Sequence, residues 1–335
     1  MAHFQRQGRL LPVAWPLYLA AAILPFVLGV LIMQFLAGSL PGGIEALIPV
    51  ALGDDDGAVD ELAHLGDLLT YGAAFFIQVA TCAVVLQLHW SSIRTQTPET
   101  GTACIRLLLL ILAVGAGVAT VVRVTDAAAY ALTYDLTRGL LLSVDGLPES
   151  FAAGNYFLGQ SRMFFSAAMP FLIGVLVVAF GAAAGAAEST PTDTAAPEWE
   201  RCFGERFERL QNAFRGSSLV LVTSAVSLML FLQLPAPSMS ESYGEAVSRF
   251  ALALTVYWGV VMTLTLLALF LPPYLAMRRE AIRRHEIAGT NQDLEKWLDE
   301  RQHRPMRRHL ANLATLLAPI LVGPVGSLAQ SIMGG

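Results

Sequence analysis

Charge is what this chain has least of. Only 47 of its 335 residues are Asp, Glu, Lys or Arg, or 14%, against about 25% in an ordinary soluble domain. A water-soluble globule with so few charges would expose broad apolar patches. That excludes a typical cytosolic enzyme, a disordered chain and a nucleic-acid binder. Lysine is nearly missing: of 21 basic residues, only Lys296 is not arginine. Cysteine is scarce, and Cys82, Cys104 and Cys202 form no CxxC pair, so they give neither a disulfide framework nor a zinc signature. The chain has no Walker loop, no GxSxG, no HExxH and no dinucleotide fingerprint. No catalytic constellation is visible, and the expectation is a protein that is not an enzyme and carries no cofactor and no metal. The acidic stretch with Asp54, Asp55, Asp56, Asp60 and Glu61 misses the EF-hand spacing and reads as a solvated loop. His64 and His89 fall at opposite ends of one apolar segment, which argues against haem ligation within one chain.

What the chain does have is apolar length. Hydrophobic residues make up 55%, and the mean hydropathy is +0.57. A bilayer core needs about 20 apolar residues in helical form, and backbone groups cannot go unpaired in lipid. Six segments qualify: residues 12–37, 67–90, 105–125, 163–185, 216–234 and 249–274. The fold class predicted is therefore all-α, a polytopic helical membrane protein with six transmembrane helices. The first segment reads as a span rather than a cleaved signal, because its apolar run exceeds a signal core.

Arginine placement sets the orientation. With a cytoplasmic N-terminus, 17 of the 21 basic residues lie inside, leaving Arg123, Arg138, Arg162 and Arg249 outside. The predicted location is a cell membrane, in a bacterium the inner one.

Between the spans, Trp199, Phe203, Phe207, Leu210 and Phe214 recur at spacings of 4, 4, 3 and 4. They mark one face of a helix over 198–214. An aromatic face opposite a charged one suits a helix lying in the inner headgroup layer, with Trp199, Phe203 and Phe207 touching lipid. The same stripe also suits packing against the protein's own spans. Residues 276–309 read as charged cytoplasmic helices, with a stop at Gly289 and a capping box at Thr290 and Asp293. Arg278, Arg279, Arg283 and Arg284 sit just inside the membrane and are candidates for anionic lipid. The uncharged tail 310–335 is long enough to span, but Pro319, Gly323, Pro324 and Gly326 interrupt it. It reads as a broken hairpin or a seventh span.

Residues 21–38 and 166–183 match without gaps at eight of 18 positions, including Pro25 with Pro170 and Phe26 with Phe171. Three spans per half would make this an inverted 3+3 repeat, and matched broken helices are the usual pointer to a midplane site. Convergence of apolar sequence is the plainer reading. Few ionisable groups lie in mid-span, so the polar candidates for a pathway or hinge are Pro25, Pro170, Gln34, Gln78, Gln87, Gln233 and Thr223. Such side chains also hydrogen-bond between helices. Arg123 and Asp126, three apart at an outer helix end, predict an ion pair.

These features point first to a channel-like or pore-forming protein, oligomeric in the bilayer. The alternatives are a non-transporting subunit, sensor or scaffold that docks a partner through its cytoplasmic helices and tail, and a secondary transporter. The partners expected are the lipid bilayer, copies of the chain or other membrane subunits, and no nucleic acid.

Overall fold

A computed structural model describes residues 10–37, 61–94, 96, 98–125, 128–143, 181, 196–239 and 241–288. These are helical throughout, with turns and no strand among the described residues. The long helices are α1 (Leu10–Ala37), α2 (Glu61–Arg94) and α3 (Pro98–Val124). Two short helices follow, α4 (Ala128–Tyr130) and α5 (Leu136–Ser143), joined by a π-helical turn over Ala131–Asp135. The last two are the longest, α6 (Ala196–Gln233) and α7 (Glu241–Ala288), separated by a 3-10 turn at Ala236–Ser238.

Four of these are long and apolar enough to cross a membrane: Leu69–Arg94 in α2, Cys104–Val122 in α3, Pro197–Gln233 in α6 and Tyr243–Glu286 in α7. Leu24–Ala37 of α1 adds a shorter apolar stretch. Six spans were expected, and four are found among the described residues. The expected span at 163–185 lies outside those residues except for Gly181, which is helical and buried. Segments 289–309 and 310–335 lie outside them as well, and so does the repeat's second copy around Pro170. The four apolar helices are consistent with an integral, multi-pass membrane protein.

The helices pair by regular stripes. On α2 the residues Tyr71, Gln78, Cys82, Val85, His89 and Ile93 are buried. Their spacing of three, four or seven places them on one helix face. On α6 the matching stripe runs Ser217, Val220, Ser224, Leu228 and Phe231. Tyr71 meets Phe231 at 5.7 Å, Gln78 meets Ser224 at 2.8 Å, and Val85 lies against Gly216. As the numbers rise on α2 they fall on α6, so the pair is antiparallel. The next pair, α6 and α7, is antiparallel too: Phe214 meets Phe270 at 5.4 Å and Phe207 meets Tyr274 at 6.4 Å. Helix α1 approaches α7 through Gly29, where a Cβ would come within 2.8 Å of Val261 Cγ2. The Tyr257 hydroxyl donates to the Gly29 carbonyl there, and Phe26 stacks on Trp258.

One end of the bundle is closed by aromatic rings. Tyr134, in the π-turn, packs on Phe231, which also meets Tyr71, and Tyr130 beside the turn packs on Tyr134. Burial raises the Tyr134 phenol above its usual pKa, with Tyr71 and Tyr130 adding to the shift.

Length forces the remaining feature. Helix α6 has 38 residues and α7 has 48, about 57 and 72 Å at ~1.5 Å per residue. A hydrocarbon core is about 30 Å thick, so both helices must leave it. They leave at the same end, α6 through its N-terminal half and α7 through its C-terminal half, and they stay packed together as a two-helix rod. Helix α7 remains helical through Pro272 and Pro273. The predicted interfacial helix 198–214 is thus no separate element but the outer half of α6. The start of the predicted 276–309 region is likewise the end of α7.

Candidate functional site

Two polar seams run along α6, and they differ in chemistry. In the apolar half, α6 faces α2. Gln78 is almost fully buried, and its Nε2 donates to Ser224 Oγ at 2.8 Å. Ser224 in turn donates to the Val220 carbonyl at 2.8 Å. Farther along the same seam, buried His89 and Ser217 converge on Gly181. A Cβ on Gly181 would stand 2.7 Å from His89 Nε2 and 2.8 Å from Ser217 Oγ. Only a residue without a side chain lets its backbone pass so close, so Gly181 lies tight against α2 and α6.

In the rod half, α6 faces α7. Arg206 Nη1 donates to both Glu280 carboxylate oxygens, at 3.0 and 3.3 Å. Trp199, Phe203 and Phe207 stack in a row, and the Arg284 guanidinium lies 5.7 Å over the Trp199 ring. Trp199 is 2% exposed and Phe203 3%. This corrects the expected lipid contact for Trp199 and Phe203, and Phe207 is partly buried beside Tyr274. The stripe exists as predicted, but it is covered by α7.

The other expected residues are scattered. Pro25 is half-buried within α1, which stays helical across it, so no broken helix is found at that position. Gln34 is exposed, and its Oε1 accepts from the Ala128 backbone N–H at 2.6 Å. Gln87 is exposed on the far side of α2. Gln233 is partly buried at the end of α6. The Thr223 hydroxyl donates to the Val220 and Leu219 carbonyls of its own helix. Of the seven pathway candidates, the structure brings only Gln78 into the α2–α6 seam, beside the turn that carries Thr223. Arg123 falls in α3 with its side chain outside the described residues, and Asp126 lies outside them too, as does Pro170. Arg278, Arg279 and Arg283 are exposed, and Arg284 is partly buried.

Sequence reasoning missed His89, Ser217 and Gly181 as a junction, and Arg206 with Glu280 as a pair. A signal for the first was present in the three-and-four spacing of Gln78, Cys82, Val85 and His89. Among the described residues no three His, Cys, Asp or Glu side chains cluster as metal ligands would. No family model, curated protein or solved structure matches the chain.

Proposed function

We propose that this chain is a non-transporting membrane subunit, a sensor or scaffold whose working part is the α6–α7 rod. The rod stands on the cytoplasmic side, with the N-terminus on that side as well. The observation that carries this reading is helical continuity. Both helices run from the apolar bundle into a charged region without interruption. The rod is held by the Arg206–Glu280 pair and the Trp199–Phe203–Phe207 stack. A tilt of either helix in the bilayer is therefore carried outward to the charged surface, where a partner can read it.

The polar residues of the bundle support the same reading. Gln78 donates to Ser224 between two helices, which is how such side chains join helices in lipid. A pore between copies of the chain is the second reading. Gln87 favours it, because this amide is exposed between exposed Leu86 and Leu88 on a surface otherwise suited to lipid.

Photo-crosslinking in intact cells separates the two. A photoreactive residue at exposed Arg201 or Arg283 in the rod is expected to yield a discrete protein adduct, and one at lipid-facing Phe76 is not. Purified protein in liposomes is expected to pass no ions. Ion flux that disappears in Gln87→Leu, with no rod adduct, would replace the scaffold by the pore.

A further inference from the structure

Four of the described helices, α2, α3, α6 and α7, leave their apolar stretch at the rod end of the bundle with an arginine. Helix α2 ends at Arg94, α3 turns apolar after Arg106, and the apolar half of α6 begins after Arg215. Helix α7 carries no Asp, Glu, Lys or Arg from Phe250 to Met277 and then meets Arg278 and Arg279. These 28 residues, about 42 Å of helix, run from the bundle into the rod, where Tyr274 meets Phe207.

The packing puts the five arginines at one end in two tiers: Phe214 meets Phe270, so Arg215 lies about nine residues, or ~13 Å, nearer the middle of the bundle than Arg278. Gly101 of α3 lies on Ile93 of α2, Gly216 of α6 lies on Val85 and His89, and Phe207 of α6 meets Tyr274 of α7. All five side chains are exposed. The ion pairs found among the described residues belong to other arginines, Arg206 and Arg249.

Each arginine has a large, exposed apolar neighbour one turn closer to the middle of its span. Trp90 is four residues before Arg94, and the guanidinium lies 5.5 Å over its ring. Leu109 is three residues after Arg106, Leu219 is four after Arg215, and Leu275 is three before Arg278 and four before Arg279. Trp90 and Leu275 are each 38% exposed, Leu219 53% and Leu109 58%. Residues three or four apart share a helix face. The same face therefore offers a cation and, one turn nearer the middle of the span, bare apolar surface.

We infer that Arg94, Arg106, Arg215, Arg278 and Arg279 form a collar of sites for anionic phospholipid, with the arginine on the phosphate and the apolar neighbour on the acyl chain. A soluble phosphate would use the cation and leave the apolar surface without a role. An acidic protein would have to displace lipid from Leu109 and Leu219. Arg283 and Arg284 fall outside the collar. One turn before Arg283 stand Arg279 and Glu280 rather than an apolar residue, and Arg284 lies over Trp199. The collar is independent of what the rod binds.

The full chain, purified in a neutral detergent and offered equal phosphatidylglycerol and phosphatidylcholine of matched chains, tests this by native mass spectrometry. The unaltered protein is expected to retain phosphatidylglycerol preferentially. The preference should fall by about fivefold for each collar arginine changed to glutamine. R201Q/R283Q, on the rod, should leave it unchanged, and glycerol phosphate should not displace the bound lipid. Equal retention of the two lipids by the unaltered protein overturns the proposal without any variant having to fold. An effect of R201Q/R283Q as large as that of the collar variant, or displacement by glycerol phosphate, overturns it as well.

Discussion

Helix α6 is built twice over. Against α2 it presents Ser217, Val220 and Ser224, and it meets a neutral amide. Against α7 in the rod it presents Arg206 and meets a carboxylate at 3.0 Å. The helix is one, but the solvent changes along it. In hydrocarbon an uncompensated charge is costly, whereas a hydroxyl bonded to its own helix and to one amide leaves little exposed. In the rod, water screens and solvates the pair, and the apolar side chains supply the adhesion. The difference also decides what burial means. Leucine and phenylalanine in the rod are hidden from water, while in the bundle they are hidden from lipid tails, which are as apolar as they are.

The largest expected effect breaks that comparison directly. Leu210 in the rod and Leu266 in the bundle are both buried, at 4% and 0% exposure. Leu210→Ala should cost about 2–5 kcal/mol, transfer from water plus cavity. Leu266→Ala should cost roughly 2 kcal/mol less, because the transfer part is missing. Unfolding titrations in mixed micelles measure both, and equal losses would mean that the two halves share one solvent. Next in size is Gly181→Ala. Its Cβ would overlap His89 and Ser217, and overpacking of this kind costs about 1–3 kcal/mol. The double variant with Ser217→Gly should recover part of the loss, and additive losses would separate Gly181 from that contact.

The long apolar helices were legible because lipid leaves little choice: about 20 residues without charge must be helical. The rod was not. Periodicity shows that Trp199, Phe203 and Phe207 share a face, but it cannot name what covers the face, and lipid and α7 demand the same stripe. The covering residues, Tyr274, Met277 and Ala281, lie more than sixty positions away and carry a stripe of their own. The polar residues were illegible for a related reason. Gln78 and Gln87 look alike as residues, yet nine positions turn one toward α6 and the other away from it. Only the buried neighbours at three and four, Cys82, Val85 and His89, distinguish Gln78.

Smaller effects sharpen the contrast between the seams. Arg206 and Glu280 are 12% and 25% exposed, so Glu280→Gln leaves a mostly buried guanidinium with a neutral partner. A loss of about 1–2 kcal/mol is expected, shrinking as salt is added to the unaltered protein. The swap of Arg206→Glu with Glu280→Arg should restore part of the loss, and full additivity of the two changes would remove the pair from the rod's stability.

Gln78→Leu should be the mildest change, although Gln78 is the more deeply buried residue. Its amide gives one hydrogen bond to Ser224, and Ser224 keeps its bond to the Val220 carbonyl when the amide is gone. No donor is stranded, and leucine fills similar space. Interhelical hydrogen bonds in membrane proteins contribute about 0.6 kcal/mol on average, so a loss near that size is expected in the same micelle titration. Salt should not alter it, because no charge is involved. A loss above roughly 2 kcal/mol, beyond the usual range for such a bond, would show that Gln78 holds more of the bundle than Ser224. The apolar seam would then depend on polar contacts as much as the rod does.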